Sequence, residues 1–179
     1  MRIFNSSTIF VVAGLALGLG SALQSLETLG MQSIPDSGGW KEWRLDPDDN
    51  LRPYALGHFL AAGSVPTPVS THYFVRDRDD DGDSLRGDCI FTLDGPVISA
   101  RWWSLSLQGS GAAKAQAILS AGRAILGSER QLHATIDLHP APGNWLQPAD
   151  TGPFTLNYVV SEPEQGQPLT LPHVKKGNC

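Results

Sequence analysis

SARWWSLSL (residues 99–107) places Trp103, Leu105 and Leu107 on one side and Trp102, Ser104 and Ser106 on the other. Alternation at period two is what a strand with one face in a core requires. QLHATIDL (residues 131–138) repeats it: Leu132, Ala134, Ile136 and Leu138 turn inward, and His133, Thr135, Asp137 and His139 turn outward. Working outward, THYFVR (71–76), RGDCIFTL (86–93), FTLNYVV (154–160) and LTLPHV (169–174) read as further strands, with WKEWRL (40–45) as a short first one. In RGDCIFTL the inward face carries Cys89, Phe91 and Leu93, and Asp94-Gly95-Pro96 reads as the turn that closes it. Nineteen glycines and thirteen prolines spread along the chain supply turns between short strands. No alternation of strand and helix signals a parallel sheet. The expectation is a mainly β protein, an antiparallel β-sandwich of jelly-roll type with six or seven strands. One short helix is expected at residues 51–62, after the capping run PDDN. The Ala-rich residues 112–121 read as another short helical turn.

Residues 9–23 (IFVVAGLALGLGSAL) carry no charge; Arg2 precedes them and Glu27 follows. That asymmetry keeps the N-terminus in the cytoplasm and sends the rest outward. Two readings stand side by side. An uncleaved anchor needs about 20 apolar residues and would occupy the membrane through residues 9–29. A cleaved signal peptide would use the small residues Gly20, Ser21 and Ala22 before its cut. The expected organisation is therefore an anchor or signal segment at 1–30, a polar linker at 31–39 and the β-sandwich domain at 40–179.

The chain is 179 residues long with a formal net charge of −5 and scattered basic residues. Phosphate contacts need clustered lysine and arginine, so nucleic acid is not an expected partner. The acidic run at 77–88 has the spacing of a calcium loop, with Asp77, Asp79, Asp81 and Asp88 as ligand candidates and Gly82 at the sharp turn. The competing reading is a solvated hairpin turn, since Asp-Gly in a polar run is a common hairpin signal. No other cofactor is expected. His133 and His139 share a strand face but lie about 20 Å apart along it. No serine sits in a Gly-x-Ser-x-Gly elbow, and no catalytic residue is assigned. The five tryptophans would serve the core, with a carbohydrate platform as the alternative.

Cys89 and Cys179 are the two cysteines. Export would place them in an oxidising compartment, where a bridge would pin the C-terminal segment to the sheet. The alternative is a buried free Cys89 and a frayed Cys179.

ARWWSLSL (100–107), NWLQP (144–148), GPFTL (152–156) and LPHV (171–174) together resemble the bacterial family catalogued as domain of unknown function 1214. The resemblance covers roughly residues 40–179. It implies a jelly-roll-like sandwich behind an N-terminal membrane segment, which favours the anchor over the cleaved signal. It carries no activity and no catalytic residues. Residues 112–127 depart from it, being Ala-rich where the family has an Asn-containing loop. The expected function is that of a non-enzymatic, inner-membrane-anchored periplasmic protein binding a protein partner or an envelope component. The alternative is an enzyme or carbohydrate-binding module acting on cell-envelope glycans, which rests on fold analogy alone.

Overall fold

Alternation in the sequence becomes alternation in burial. The computed structural model describes residues 6–33, 37–43, 70–109, 117–166 and 169–179. Its elements are α1 (Ser6–Gly30), β1 (Met31–Ser33), β2 (Lys41–Trp43), β3 (Thr71–Arg76), β4 (Phe91–Pro96), β5 (Ala100–Gly109), β6 (Ile118–Ser120), β7 (Gln131–Ile136), β8 (Asn144–Leu146), β9 (Phe154–Pro163) and β10 (His173–Lys176). Two compact units form, one of residues 1–32 with 44–66 and one of residues 33–43 with 67–179.

In the first unit, α1 mixes leucines and alanines, which favour helix, with four glycines and several β-branched residues, which do not. Phe10, Val11, Val12, Leu15, Leu17 and Leu19 are all more than half exposed and do not confine themselves to one face. Among the described residues no helix is long and apolar enough to cross a membrane.

The second unit is mainly β. Within it the larger sheet runs β2-β3-β9-β5-β6, and the smaller runs β10-β4-β7-β8. In the larger sheet, β9 pairs antiparallel with both β3 and β5, so Tyr158 stands opposite Phe74 on one side and Leu105 on the other. In the smaller, β4 lies antiparallel between β10 and β7, bringing Leu93 beside Val174 and Ala134. The inward residues of both sheets join one core: Phe74, Trp103, Leu105 and Leu156 from the first, and Phe91, Leu93, Leu132 and Ile136 from the second. Phe91 meets Phe154 edge-on at 5.9 Å. Tyr158 is ringed by Trp40, Phe74 and Trp103 at 6.0–6.2 Å. Each such pair contributes about 0.5–1.5 kcal/mol beyond its buried area. The Tyr158 hydroxyl accepts the Ile98 N–H at 3.3 Å, and burial pushes its pKa up to about 12.

Several expectations need correction. β8 runs parallel to β7, so the smaller sheet is mixed. Asp94-Gly95-Pro96 is no turn: β4 continues through Pro96, opposite Gln131. Gly95 lies at φ +150°, and a Cβ there would meet the Pro172 Cα at 2.9 Å. The glycine is the place where the chain before β10 crosses close. Residues 86–90 turn before the strand proper begins at Phe91. The start of the expected linker is strand β1, and residues 118–120 of the expected Ala-rich helix are β6, pairing with β5. Residues 51–62, expected to be helical, lie outside the described residues.

Candidate functional site

Strand parity puts an arginine where an apolar residue is the rule. On β3 the inward positions are His72, Phe74 and Arg76, and Arg76 is fully buried. A buried guanidinium requires partners. Its Nη2 donates to Asp80 Oδ1 at 2.5 Å, its Nε donates to the Arg78 carbonyl, and its carbon lies 5.8 Å from the Trp40 ring. Nη1 has no partner.

Asp80 ties this arginine to the C-terminal segment. Its backbone N–H donates to the Val174 carbonyl at 2.9 Å, and its Oδ1 accepts the Val174 N–H at 3.3 Å. His173 Nδ1 lies 3.1 Å from Oδ2. Burial by itself would raise the Asp80 pKa. The hydrogen bonds from Arg76 and Val174 and the charge of Arg76 more than offset it and hold the carboxyl below its usual value. Trp40 Nε1 donates to the Pro172 carbonyl at 2.8 Å, adding a second tie to the same segment.

The acidic loop folds around Asp79, which is only 3% exposed. Its Oδ1 accepts the N–H groups of Asp81 and Asp83 at 3.0 and 2.8 Å, an Asx-type turn. Oδ2 has no partner. The other calcium candidates are placed differently. Asp77 faces Lys41 at 3.9 Å, Asp81 is exposed, and Asp88 takes a two-pronged contact from Arg86 at 3.0 Å. That contact lowers the Asp88 pKa and raises that of Arg86. Lys176 Nζ meets Asp83 Oδ2 at 2.9 Å, and the hydrogen bond raises the lysine pKa. The sequence-predicted ligands are thus not gathered. Among the described residues no group of three or more His, Cys, Asp or Glu is arranged to hold a metal ion. Protein cations meet two of the four candidates instead, Lys41 at Asp77 and Arg86 at Asp88. Between this loop and the Gly38–Gly39 turn lies an open depression of about 480 Å³, lined by Trp40, Lys41, Asp77, Arg78, Asp79 and Asp80 among others.

Cys89 and Cys179 form a disulfide with their Cα atoms 4.0 Å apart. Leading to it, Gly177 N–H donates to the Ile90 carbonyl and Ile90 N–H to the Asn178 carbonyl, both at 2.8 Å. Cys89 is buried and Cys179 exposed. A smaller hollow of about 200 Å³ borders the bond, lined also by Asp137 and His139.

The remaining candidates are dispersed. His133 pairs with Asp94 across β7 and β4, His139 with Asp137 at 3.3 Å and His72 with Glu42 at 2.6 Å. His58 lies outside the described residues. Trp40, Trp43 and Trp103 are buried, Trp145 donates to the Asp137 carbonyl at 2.8 Å, and Trp102 is 44% exposed. Sequence reasoning missed the Arg76–Asp80 pair. Its signal was present: an arginine on the inward parity of a strand, with an aspartate four residues on.

The family model described as "Protein of unknown function (DUF1214)" matches residues 70–165. No curated protein matches the chain. Among solved structures, it is similar to the VPA0106 protein of Vibrio parahaemolyticus (16% identity, TM-score 0.54), over 69% of this chain and 34% of that one. It is also similar to an uncharacterized protein from Burkholderia cenocepacia (13% identity, TM-score 0.46), over 60% of this chain and 29% of that one. The chain therefore spans about a third of the length of these neighbours.

Proposed function

Because the chain belongs to the DUF1214 family, whose description carries no activity, we propose a role from its own residues: a single-pass, inner-membrane-anchored bacterial protein whose periplasmic domain, a jelly-roll-like sandwich, binds a protein partner or an envelope component. The observation that carries this reading is α1. From residue 10 to residue 22 every side chain is exposed, including Phe10, Val11, Val12, Leu15, Leu17 and Leu19. Although no helix among the described residues is by itself long and apolar enough to cross a membrane, residues 10–20 of α1 are apolar on every side and leave no face to offer water, so lipid is the surrounding we infer for them. Arg2 before the uncharged run 9–23 and Glu27 after that run favour an N-terminus in the cytoplasm.

The disulfide supports export, since such bonds persist in oxidising compartments. Two sheets over one core support the sandwich. Binding in place of catalysis is supported by how the polar groups are used: Arg76, Asp80, Lys176 and Arg86 tie backbone segments and loops together.

The test is a pair of fusions after Cys179. A phosphatase reporter that works only outside the cytoplasm should be active, and a reporter that works only inside should be silent. The reverse pattern overturns the placement. Retention in membranes through a carbonate wash supports the anchor, and release supports a cleaved signal.

A further inference from the structure

We propose that Cys179 is an S-thiolation site. In the folded domain a small aliphatic thiol opens the Cys89–Cys179 bond at the Cys179 sulfur, leaving a mixed disulfide there and a free thiol at Cys89. This goes beyond the reading above and does not depend on where the protein sits.

Three observations converge. First, the two sulfurs differ in access. Thiol–disulfide exchange is an in-line displacement, so the thiolate approaches one sulfur from the side away from the other. Cys89 is 8% exposed and belongs to the buried core, so the line of attack on its sulfur runs through packed side chains. Cys179 is exposed, and the line of attack on its sulfur comes from outside. Second, space for the incoming molecule is already there. The hollow of about 200 Å³ is bordered by both cysteines, with Ile90, Leu138 and His139 among its lining residues. That volume suits a short-chain thiol, and the apolar part of the lining suits its methylenes. Third, the bond can open without unfolding the segment that carries it. Gly177 N–H donates to the Ile90 carbonyl and Ile90 N–H to the Asn178 carbonyl, and Lys176 is paired with Asp83. These ties do not pass through the sulfurs.

In the exchange the thiolate forms a bond to Cys179 Sγ as the Sγ–Sγ bond breaks. The electron pair leaves on Cys89 Sγ, which takes a proton from water. One thiol and one disulfide enter, and one thiol and one disulfide result. Asp88 Oδ1 lies 3.8 Å from the Cys89 sulfur and is an acceptor for the thiol formed there. Burial and that acceptor favour the thiol over the thiolate, which slows Cys89 in closing the bond again.

The test is exchange with mercaptoethanol and with cysteamine on the full chain in detergent, without denaturant. The reaction is stopped in acid at low conversion. The chain is then unfolded, its free thiols are alkylated, and the digest is read by mass spectrometry. The adduct is expected on Cys179 and the alkyl group on Cys89, in at least about tenfold excess over the reverse arrangement. The rate at which the linked peptide disappears should be the same in buffer and in urea well below the unfolding transition. Attack that waits on global unfolding would be slower by about a thousandfold or more and would climb steeply with urea. That behaviour, or no exchange until denaturant is added, overturns the proposal. So do adducts divided equally between the two sulfurs or found mainly on Cys89. Both readouts come from the wild-type chain, so neither depends on a variant that has to fold.

Discussion

Breaking the Cys89–Cys179 bond should destabilise this domain more than any other change that removes one covalent link. The bond joins residues 90 apart in sequence. In the chain-entropy treatment a closed loop of that size removes about 15 cal/mol/K from the unfolded chain, about 4–5 kcal/mol at 25 °C. A domain of roughly 140 residues unfolds with an entropy near 0.3 kcal/mol/K, so the melting temperature should fall by about 15 °C. The assay is thermal and urea unfolding, followed by circular dichroism, of oxidised and fully reduced wild-type chain. Reduction keeps both side chains and so isolates the link. It should also raise the urea m-value, because the uncrosslinked unfolded chain exposes more surface. The double variant Cys89→Ala with Cys179→Ser should lose about 1 kcal/mol more, from the contacts of the buried Cys89 sulfur. A fall of less than about 3 °C in chain shown by alkylation to be fully reduced would contradict a loop-closure origin.

Three further outcomes are expected. Arg76→Met leaves the Asp80 carboxylate without its guanidinium but with its Val174 and His173 contacts and water within reach, and should cost about 1–3 kcal/mol in urea unfolding; a loss under about 0.5 kcal/mol would mean that water replaces the arginine without penalty. With a folded pKa raised to about 12 against an ordinary 10.0, Tyr158 contributes stability that is fully present below about pH 10. That stability, about 3 kcal/mol in all, is lost as pH rises through about 12. In a spectrophotometric titration one of the three tyrosines should ionise only there or on unfolding, and three ordinary titrations would refute its burial. Calcium should leave the melting temperature unchanged, because Lys41, Arg76, Lys176 and Arg86 already meet Asp77, Asp80, Asp83 and Asp88, four of the six carboxylates of the acidic run. A rise of several degrees at saturating calcium, absent in Asp79→Asn, would instead mark an ion site.

Strand alternation was the most legible feature of the sequence. Leu132, Ala134 and Ile136 on β7, and Trp103, Leu105 and Leu107 on β5, are buried as the period of two requires. Short elements were not legible. β6 and β8 have three residues each, too few for a period to show, and their pairing partners lie elsewhere in the chain. Asp94-Gly95-Pro96 carries a turn signal, yet a close backbone approach by Pro172 sets its conformation, a long-range fact no local pattern records. The acidic run left two readings open, a cation loop and a hairpin turn, and the partners of its carboxylates were not legible: Lys176 comes from β10 and Lys41 from β2, far away in sequence. Arg76 shows the reverse, a polar residue on an inward parity that a strict reading of THYFVR would have singled out.

The proposal that this β domain is exported and closed by its own disulfide is tested most directly by the redox state of the two cysteines in the cell. Cells are quenched in acid, the chain is unfolded and alkylated without reductant, and the digest is read by mass spectrometry. The expected result is one linked peptide pair joining Cys89 to Cys179, with no alkyl group on either. Two alkylated cysteines in chain taken directly from cells would contradict it.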